Sequence, residues 1–157
     1  MVKINSTSRL FSIDTQVILA QTDTTVGFLS QDAQKLYEVK SRDTSKPFIK
    51  VYQRFKDLQS HKLRLPSSFK SRVRRSTKTT FIVKDSAFRV VASHLNSSIL
   101  RNLRWNHSTS ANESGKSFQR DFCEQKADII IEDKNSFKES SSSSLFKINK
   151  KKIKRLR

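Results

Sequence analysis

An α/β fold, a twisted mixed sheet with flanking helices, is the architecture this sequence predicts. Three observations predict it. Short β-branched and apolar runs recur along the 157 residues, at 17–21 (VILAQ), 79–83 (TTFIV) and 128–132 (DIIIE), the length and composition of strands buried in a sheet. Between them lie stretches whose apolar residues recur at three and four, the spacing of one helix face. Strands that alternate with helices stack helices on a sheet.

The elements follow in order. Residues 17–21 form a strand, and 22–27 (TDTTVG) a polar loop with one of only two glycines. Ser30 is placed to cap a helix running to about Val39, with Ala33, Leu36 and Tyr37 on its buried face. Pro47 opens an apolar strand at 48–52. Residues 53–75 are basic and helical in pieces, the second starting at Pro66. Strands are expected at 79–83 and 88–91, and Leu95, Ile99 and Leu103 share one helix face. After a strand at 105–107 comes a small-polar loop, 108–112 (STSAN). Phe118 and Phe122 mark a short helix, and 128–132 a buried strand. Residues 138–144 (KESSSSS) are of low complexity and read as a linker. Short strands at 145–149 and 153–156 follow, and the segment 147–157 holds seven basic residues and no acid. The chain, 1–157, reads as one domain.

The formal net charge is +18, from 32 Lys and Arg against 14 Asp and Glu. Such an excess favours nucleic acid, nucleotide phosphates or an anionic surface, or serves solubility alone. Cys123 is the single cysteine, so no intramolecular disulfide forms, which suits a reducing compartment. It reads as a small packing residue. The apolar runs are too short to cross a bilayer, and the first residues lack the apolar stretch of a secretory signal. The expected location is cytoplasmic, with no membrane partner.

Lys40, Arg42 and Lys46 are the most informative local cluster. Three cations within seven residues, at a helix end beside a strand, can surround a triphosphate or a carboxylate. They equally complement the helix dipole. Ser108, Thr109, Ser110, Asn112 and Ser114 crowd a loop ending at Gly115, and its donors suit phosphate oxygens or ordinary turns. Thr22, Asp23, Thr24 and Thr25 form a similar knot after a strand, where α/β sheets commonly place ligands. Two glycines cannot build a GxxxxGK[ST] or GxGxxG loop. His61, His94 and His107 show no metal-ligand spacing with Cys123, so no metal site is expected. No Ser/His/Asp or Cys/His arrangement emerges. An enzyme with these residues works by positioning and charge stabilisation.

The order of motifs resembles the YrdC-like family of threonylcarbamoyl-AMP synthases, over roughly residues 10–157. The family's PT[DE]T-V-Y-G-L pattern is similar to QTDTTVGF at 21–28. Its K-x-R and K/N-P resemble Lys40, Arg42 and Lys46-Pro47 in LYEVKSRDTSKPF. Its S-x-N is matched by Ser110, Ala111 and Asn112, its D-L-I-I-D strand by ADIIIED at 127–133. The P-S-T-V-V-D segment resembles SSSLFK at 142–147, and I-L-R resembles residues 153–155. The sequence departs from the pattern at the P-G-P-x-T turn, of which Thr80 alone is kept, at Val51 in place of a histidine, and at Gln21 in place of a proline.

The resemblance implies a YrdC-like fold, with helices and twisted sheet around a concave basic cavity. It implies an L-threonylcarbamoyladenylate synthase, a nucleotidyltransferase using L-threonine, bicarbonate and ATP, with Mg²⁺ assisting, for the t6A modification of tRNA. A downstream threonylcarbamoyl-transfer complex, and tRNA or dsRNA, are the implied macromolecular partners. Lys40 and Arg42 would be catalytic. Arg42, Lys46, Thr80, Asn112 and Arg155 would bind ATP, and Thr24, Ser110 and Ser143 threonine. Two other readings remain at this stage: a non-catalytic YrdC-like module that binds RNA or nucleotide, and a carbamoyl-transfer domain like those in hydrogenase maturation.

Overall fold

The computed structural model describes residues 2–4, 12–61, 63–91, 100, 102–113, 115–132 and 136–157, with the backbone alone for 2–4. Ten strands form one mixed sheet. In chain order the elements are β1 (Val2–Ile4), β2 (Ile18–Gln21), β3 (Val26–Ser30), α1 (Ala33–Lys40), β4 (Ile49–Tyr52), α2 (Phe55–Ser60), α3 (Ser67–Arg75), β5 (Thr79–Val83), β6 (Ser86–Val90), β7 (Trp105–Ser110), α4 (Arg120–Lys126), β8 (Ile129–Ile131), β9 (Ser144–Ile148) and β10 (Ile153–Arg155). The strand order across the sheet is β1-β8-β2-β3-β7-β4-β6-β5-β9-β10. β2 with β8, β4 with β6 and β5 with β9 run parallel, and the other pairs antiparallel. The α/β class and the mixed sheet are as the sequence predicts.

Helices α1 to α4 pack on one face. Leu36 of α1 and Cys123 of α4 join Leu19, Phe28 and Ile130 in one buried cluster. Phe55 and Leu58 of α2 and Val73 of α3 join Tyr52, Phe81, Phe88 and Ile148 in a second. Strand side chains alternate between faces, so the cross-strand pairs set what lies opposite. There Ile18, Ala20, Leu29 and Ile129 pack with Leu100 and Leu103. Farther along, that second face turns polar, with Gly27 opposite Ser110 on β7 and Asn106 and Arg89 flanking Val51.

Several expectations are corrected. Residues 26–30 were expected as loop and helix entry, yet they form β3, buried throughout; only 22–25 turn. The cap of α1 is Asp32, whose carboxylate accepts from the Gln34 and Lys35 amides. Ser30 instead ends β3, and its hydroxyl accepts from the Asp32 amide at 3.0 Å. The loop expected at 108–112 begins later, because β7 continues to Ser110. Ser143, expected in a linker, is buried, and Ser144 already belongs to β9. Phe118 precedes the short helix that holds Phe122. The helix expected from Leu95 and Ile99 lies outside the described residues. Among the described residues no helix is long and apolar enough to cross a membrane.

Between the two helix-side clusters runs a ladder of rings. Phe48 and His107 lie 6.4 Å apart, Trp105 and His107 5.3 Å, His61 and Trp105 5.2 Å, and Tyr52 and His61 5.1 Å. The Nδ1 atom of His107 is buried there without a hydrogen-bond partner. The His107 pKa is lowered to about 4, chiefly by burial and next by the Lys50 charge, against a smaller opposing pull from Asp32.

An unfolded histidine takes its proton near pH 6.5, whereas His107 in the folded chain stays neutral to about pH 4. Its contribution is therefore intact above about pH 6.5 and lost as pH falls towards 4, by up to ~3 kcal/mol. Urea midpoints at pH 7 and 4.5 should fall less for His107→Phe than for the wild type; equal falls would reject this account. A second prediction concerns Gly27. A Cβ there would sit 2.9 Å from Thr22 Cγ2 and 3.2 Å from the Thr109 carbonyl oxygen. Gly27→Ala should cost about 1–3 kcal/mol in urea denaturation. Thr22→Ser, which removes the clashing methyl, should recover part of it in the double variant.

Candidate functional site

The polar end of the second face is built around Arg89, an arginine in the middle of a sheet that is only 7% exposed. A charge so placed needs partners, because burying it alone costs far more than a hydrogen bond returns. Its Nη1 donates to Asp23 Oδ1 at 2.7 Å and to Thr24 Oγ1 at 2.8 Å. Its Nη2 donates to Thr80 Oγ1 at 3.1 Å, and the hydroxyls of Thr80 and Ser143 meet at 2.9 Å. The guanidinium thus ties the β2–β3 turn, β5, β6 and the start of β9 together. The turn is itself closed by Thr22, whose hydroxyl donates to the Thr25 carbonyl at 2.6 Å and accepts from the Thr24 and Thr25 amides.

A second cation does similar work at the end of α1. Lys40 Nζ donates to the Ser110 carbonyl at 3.1 Å, to Asn112 Oδ1 at 2.9 Å and to the Asn112 carbonyl. Burial lowers the Lys40 pKa; the nearby Cys123 thiol opposes this and the Arg42 charge adds to it. Ser110 Oγ donates to the same Asn112 oxygen at 2.6 Å. The 110–112 turn is therefore pinned to the helix end. Ser41, at φ 45°, takes the left-handed C-cap conformation and turns the chain so that Arg42 leaves the helix axis. The Arg42 guanidinium lies 5.2 Å from the Phe48 ring centroid, and its Nε is buried without a partner.

Two adjoining hollows result. The first, about 380 Å³, lies between the 22–25 turn, Gly27, the 108–110 end of β7 and the segment of Ser142, Ser143 and Arg157. The second, about 330 Å³, lies between Lys40, Arg42, Asp43, Lys46 and the Ser110–Asn112 turn. Arg42, Thr109 and Ser110 line both. Among the described residues no ion pair includes Arg42, Lys46 or Arg157. Unpaired guanidinium and ammonium groups beside hydroxyl and amide donors suit phosphate or carboxylate oxygens.

Most of the residues singled out in the sequence come together here. Thr24, Arg42, Ser110 and Ser143 line the first hollow, and Lys40, Arg42, Lys46, Ser110 and Asn112 the second. Two do not. Thr80 is fully buried behind the first hollow, against Arg89. Arg155 lines neither; its Nε donates to the Arg157 carbonyl at 3.1 Å. Arg157 takes the wall position, its Nε 3.3 Å from the Ser143 carbonyl. Sequence reasoning missed Arg89 and Arg157. The first left a signal, a charge amid the apolar run FRVV at 88–91. Among the described residues no group of three or more His, Cys, Asp or Glu is arranged to hold a metal ion.

No family model and no curated protein matches the chain. Solved structures do. MTH1692 from Methanobacterium thermoautotrophicum is 17% identical, with a TM-score of 0.63 over 90% of this chain and 79% of that one. Sua5 from P. abyssi, complexed with L-threonine, is 18% identical, with a TM-score of 0.71; the match covers 90% of this chain and 50% of that one. E. coli YciO is 13% identical, with a TM-score of 0.69 over 91% of this chain and 82% of that one. This chain thus spans about half the length of Sua5. The fold of this chain is the one these proteins share, the YrdC-like fold.

Proposed function

We propose that the chain is a threonylcarbamoyl-AMP synthase, making the mixed anhydride from L-threonine, bicarbonate and ATP. The carrying observation is the place of Arg42, in the wall common to a hydroxyl-rich hollow and a cationic one. Support for threonine comes from the shared fold of Sua5, which binds it.

In this reading the first hollow takes threonine, with the hydroxyls of Thr24, Ser110 and Ser143 hydrogen-bonding to its polar groups, that of Ser110 as an acceptor. The second takes the triphosphate, with Lys46 and Asn112 on its oxygens. The threonine amine adds to bicarbonate with loss of water, and the new carboxylate oxygen attacks the α-phosphorus as pyrophosphate leaves. Arg42 faces both reactants and offsets the charge that builds on the α-phosphate. Holding the two anions in adjoining hollows supplies proximity, worth up to about 7–11 kcal/mol for well-oriented partners. Lys40 acts through the 110–112 turn it pins, so its role is positioning. Mg²⁺ is commonly held by substrate phosphates and one or two carboxylates, and Asp43 is the carboxylate at the second hollow. The Ser45 backbone amide, with its hydroxyl, holds the Asp43 carboxyl below the usual carboxylate range. A bound Mg²⁺ would neutralise phosphate charge there. The product would pass to a threonylcarbamoyl-transfer complex acting on tRNA.

The test is product formation with ATP, bicarbonate and threonine, read by mass spectrometry together with pyrophosphate release. Arg42→Ala should lower the rate at least about 100-fold while its unfolding free energy in urea stays within about 1 kcal/mol of wild type. A fully active Arg42→Ala, or a wild type that makes no adenylate, rejects the reading. Lys40→Met should lose both rate and stability, which separates positioning from direct contact.

A further inference from the structure

Asn106 stands in β7, between β3 and β4, on the second face of the sheet. Asparagine is a poor strand residue, and this one is only 1% exposed. Neither its Oδ1 nor its Nδ2 has a hydrogen-bond partner among the described residues. Gln53, just past β4 and also buried, has its Nε2 in the same condition. Buried polar groups in folded proteins are almost always paired. Three unpaired amide atoms at one place therefore mark the position of a further molecule.

Both amides line one small cavity, together with Thr22, Asp23, Arg89 and Ser108. Leu29, Val51 and Val91 close its apolar sides. Its volume is about 10 Å³, and one water molecule needs roughly 10–15 Å³. The occupant is therefore a single heavy atom. It must donate to Asn106 Oδ1 and accept from the N–H groups of Asn106 and Gln53. A halide would accept from the nitrogens and leave the oxygen unanswered. An ammonium ion would donate to the oxygen but face the Arg89 guanidinium and two amide nitrogens. A hydroxyl oxygen does both.

We infer that this cavity is a seat for one hydroxyl oxygen, set behind the wall of the first hollow. Thr22, Arg89 and Ser108 line both spaces, so the seat and the hollow share that wall. Two sources supply the same chemistry: a trapped water molecule, or the hydroxyl of a small ligand that reaches past Arg89 from the hollow. An oxygen held there ties the end of β4 to β7 through side chains, beside the guanidinium that orders the β2–β3 turn. The seat exists whether or not the hollows carry out the reaction proposed for them.

Two measurements on the whole chain test this. Nitrogen-edited NMR should show magnetisation transfer from water to the side-chain amide protons of Asn106 and Gln53, with the sign of a long-lived contact. Glycerol added in excess separates the sources. If its protons replace water at those amides, a ligand hydroxyl takes the seat; if the water contact persists, the seat belongs to water. Urea denaturation of apolar isosteres is the second measurement. Asn106→Leu leaves the Gln53 donor without its bridge, and should lower the folding constant roughly 5- to 30-fold. Gln53→Met should act in the same direction. The double variant removes the polar set together and should recover to within about 3-fold of wild type. An unoccupied cavity gives the opposite sign, because each single replacement would then delete an unpaired buried group and stabilise the fold. Stabilisation by both single variants overturns the inference, as does contact of neither water nor glycerol with the amides. Should a variant fail to fold, the wild-type NMR decides alone.

Discussion

Arg89 brings a full positive charge to a sheet face from which water is largely excluded, and the surrounding chain is arranged to answer it. Asp23 supplies the counter-charge, and Thr24 and Thr80 supply acceptors. They come from two separate stretches of sequence, the β2–β3 turn and β5, so satisfying one guanidinium fixes the relative placement of that turn, β5 and β6. Ser143 is drawn in through Thr80. A buried ion pair of this kind adds little net stability over an apolar equivalent, yet removing one partner costs several kcal/mol. What it supplies here is geometry: the floor of the first hollow has one arrangement.

Lys40 does for the second hollow what Arg89 does for the first. Both cations are committed to protein acceptors, whereas Arg42, Lys46 and Arg157, which also line the hollows, take part in no ion pair among the described residues. This division of labour separates cations that build a wall from cations that face its interior. It also explains why proximity in sequence misleads: Lys40 and Arg42 are two residues apart, and the left-handed Ser41 between them sends their side chains to different tasks.

The legible part of the architecture was its apolar grammar. The runs at 17–21, 79–83 and 128–132 are strands because β-branched residues buried on both faces have few other uses. The K-x-R and S-x-N patterns identified residues that meet at one place, although 70 residues separate Lys40 from Ser110. β3 was hidden because VGFLS begins at a glycine and ends at a serine placed to resemble a helix cap. The hidden Ser110 end of β7 has the same cause: serine and threonine form turns by local preference, and only pairing with β3 and β4 makes them strand. Arg89 and Arg157 were missed for a different reason. Whether an arginine faces solvent or a buried aspartate is decided by partners distant in sequence; the apolar run around Arg89 signals burial without naming the partner, and nothing local marks Arg157.

The parallel pairing of β5 with β9 joins segments far apart in the chain; Thr80 and Ser143 are 63 residues distant. Contacts of that kind pay a large loop-closure entropy before they return any energy, and so tend to form late. Ser143 and Arg157, which close one side of the first hollow, depend on that pairing. A ligand able to bind only the closed hollow would select molecules in which the last strands are already seated. Occupancy and completion of the sheet would then be one equilibrium, and exchange of the β9 amides with solvent would slow when the hollow is filled.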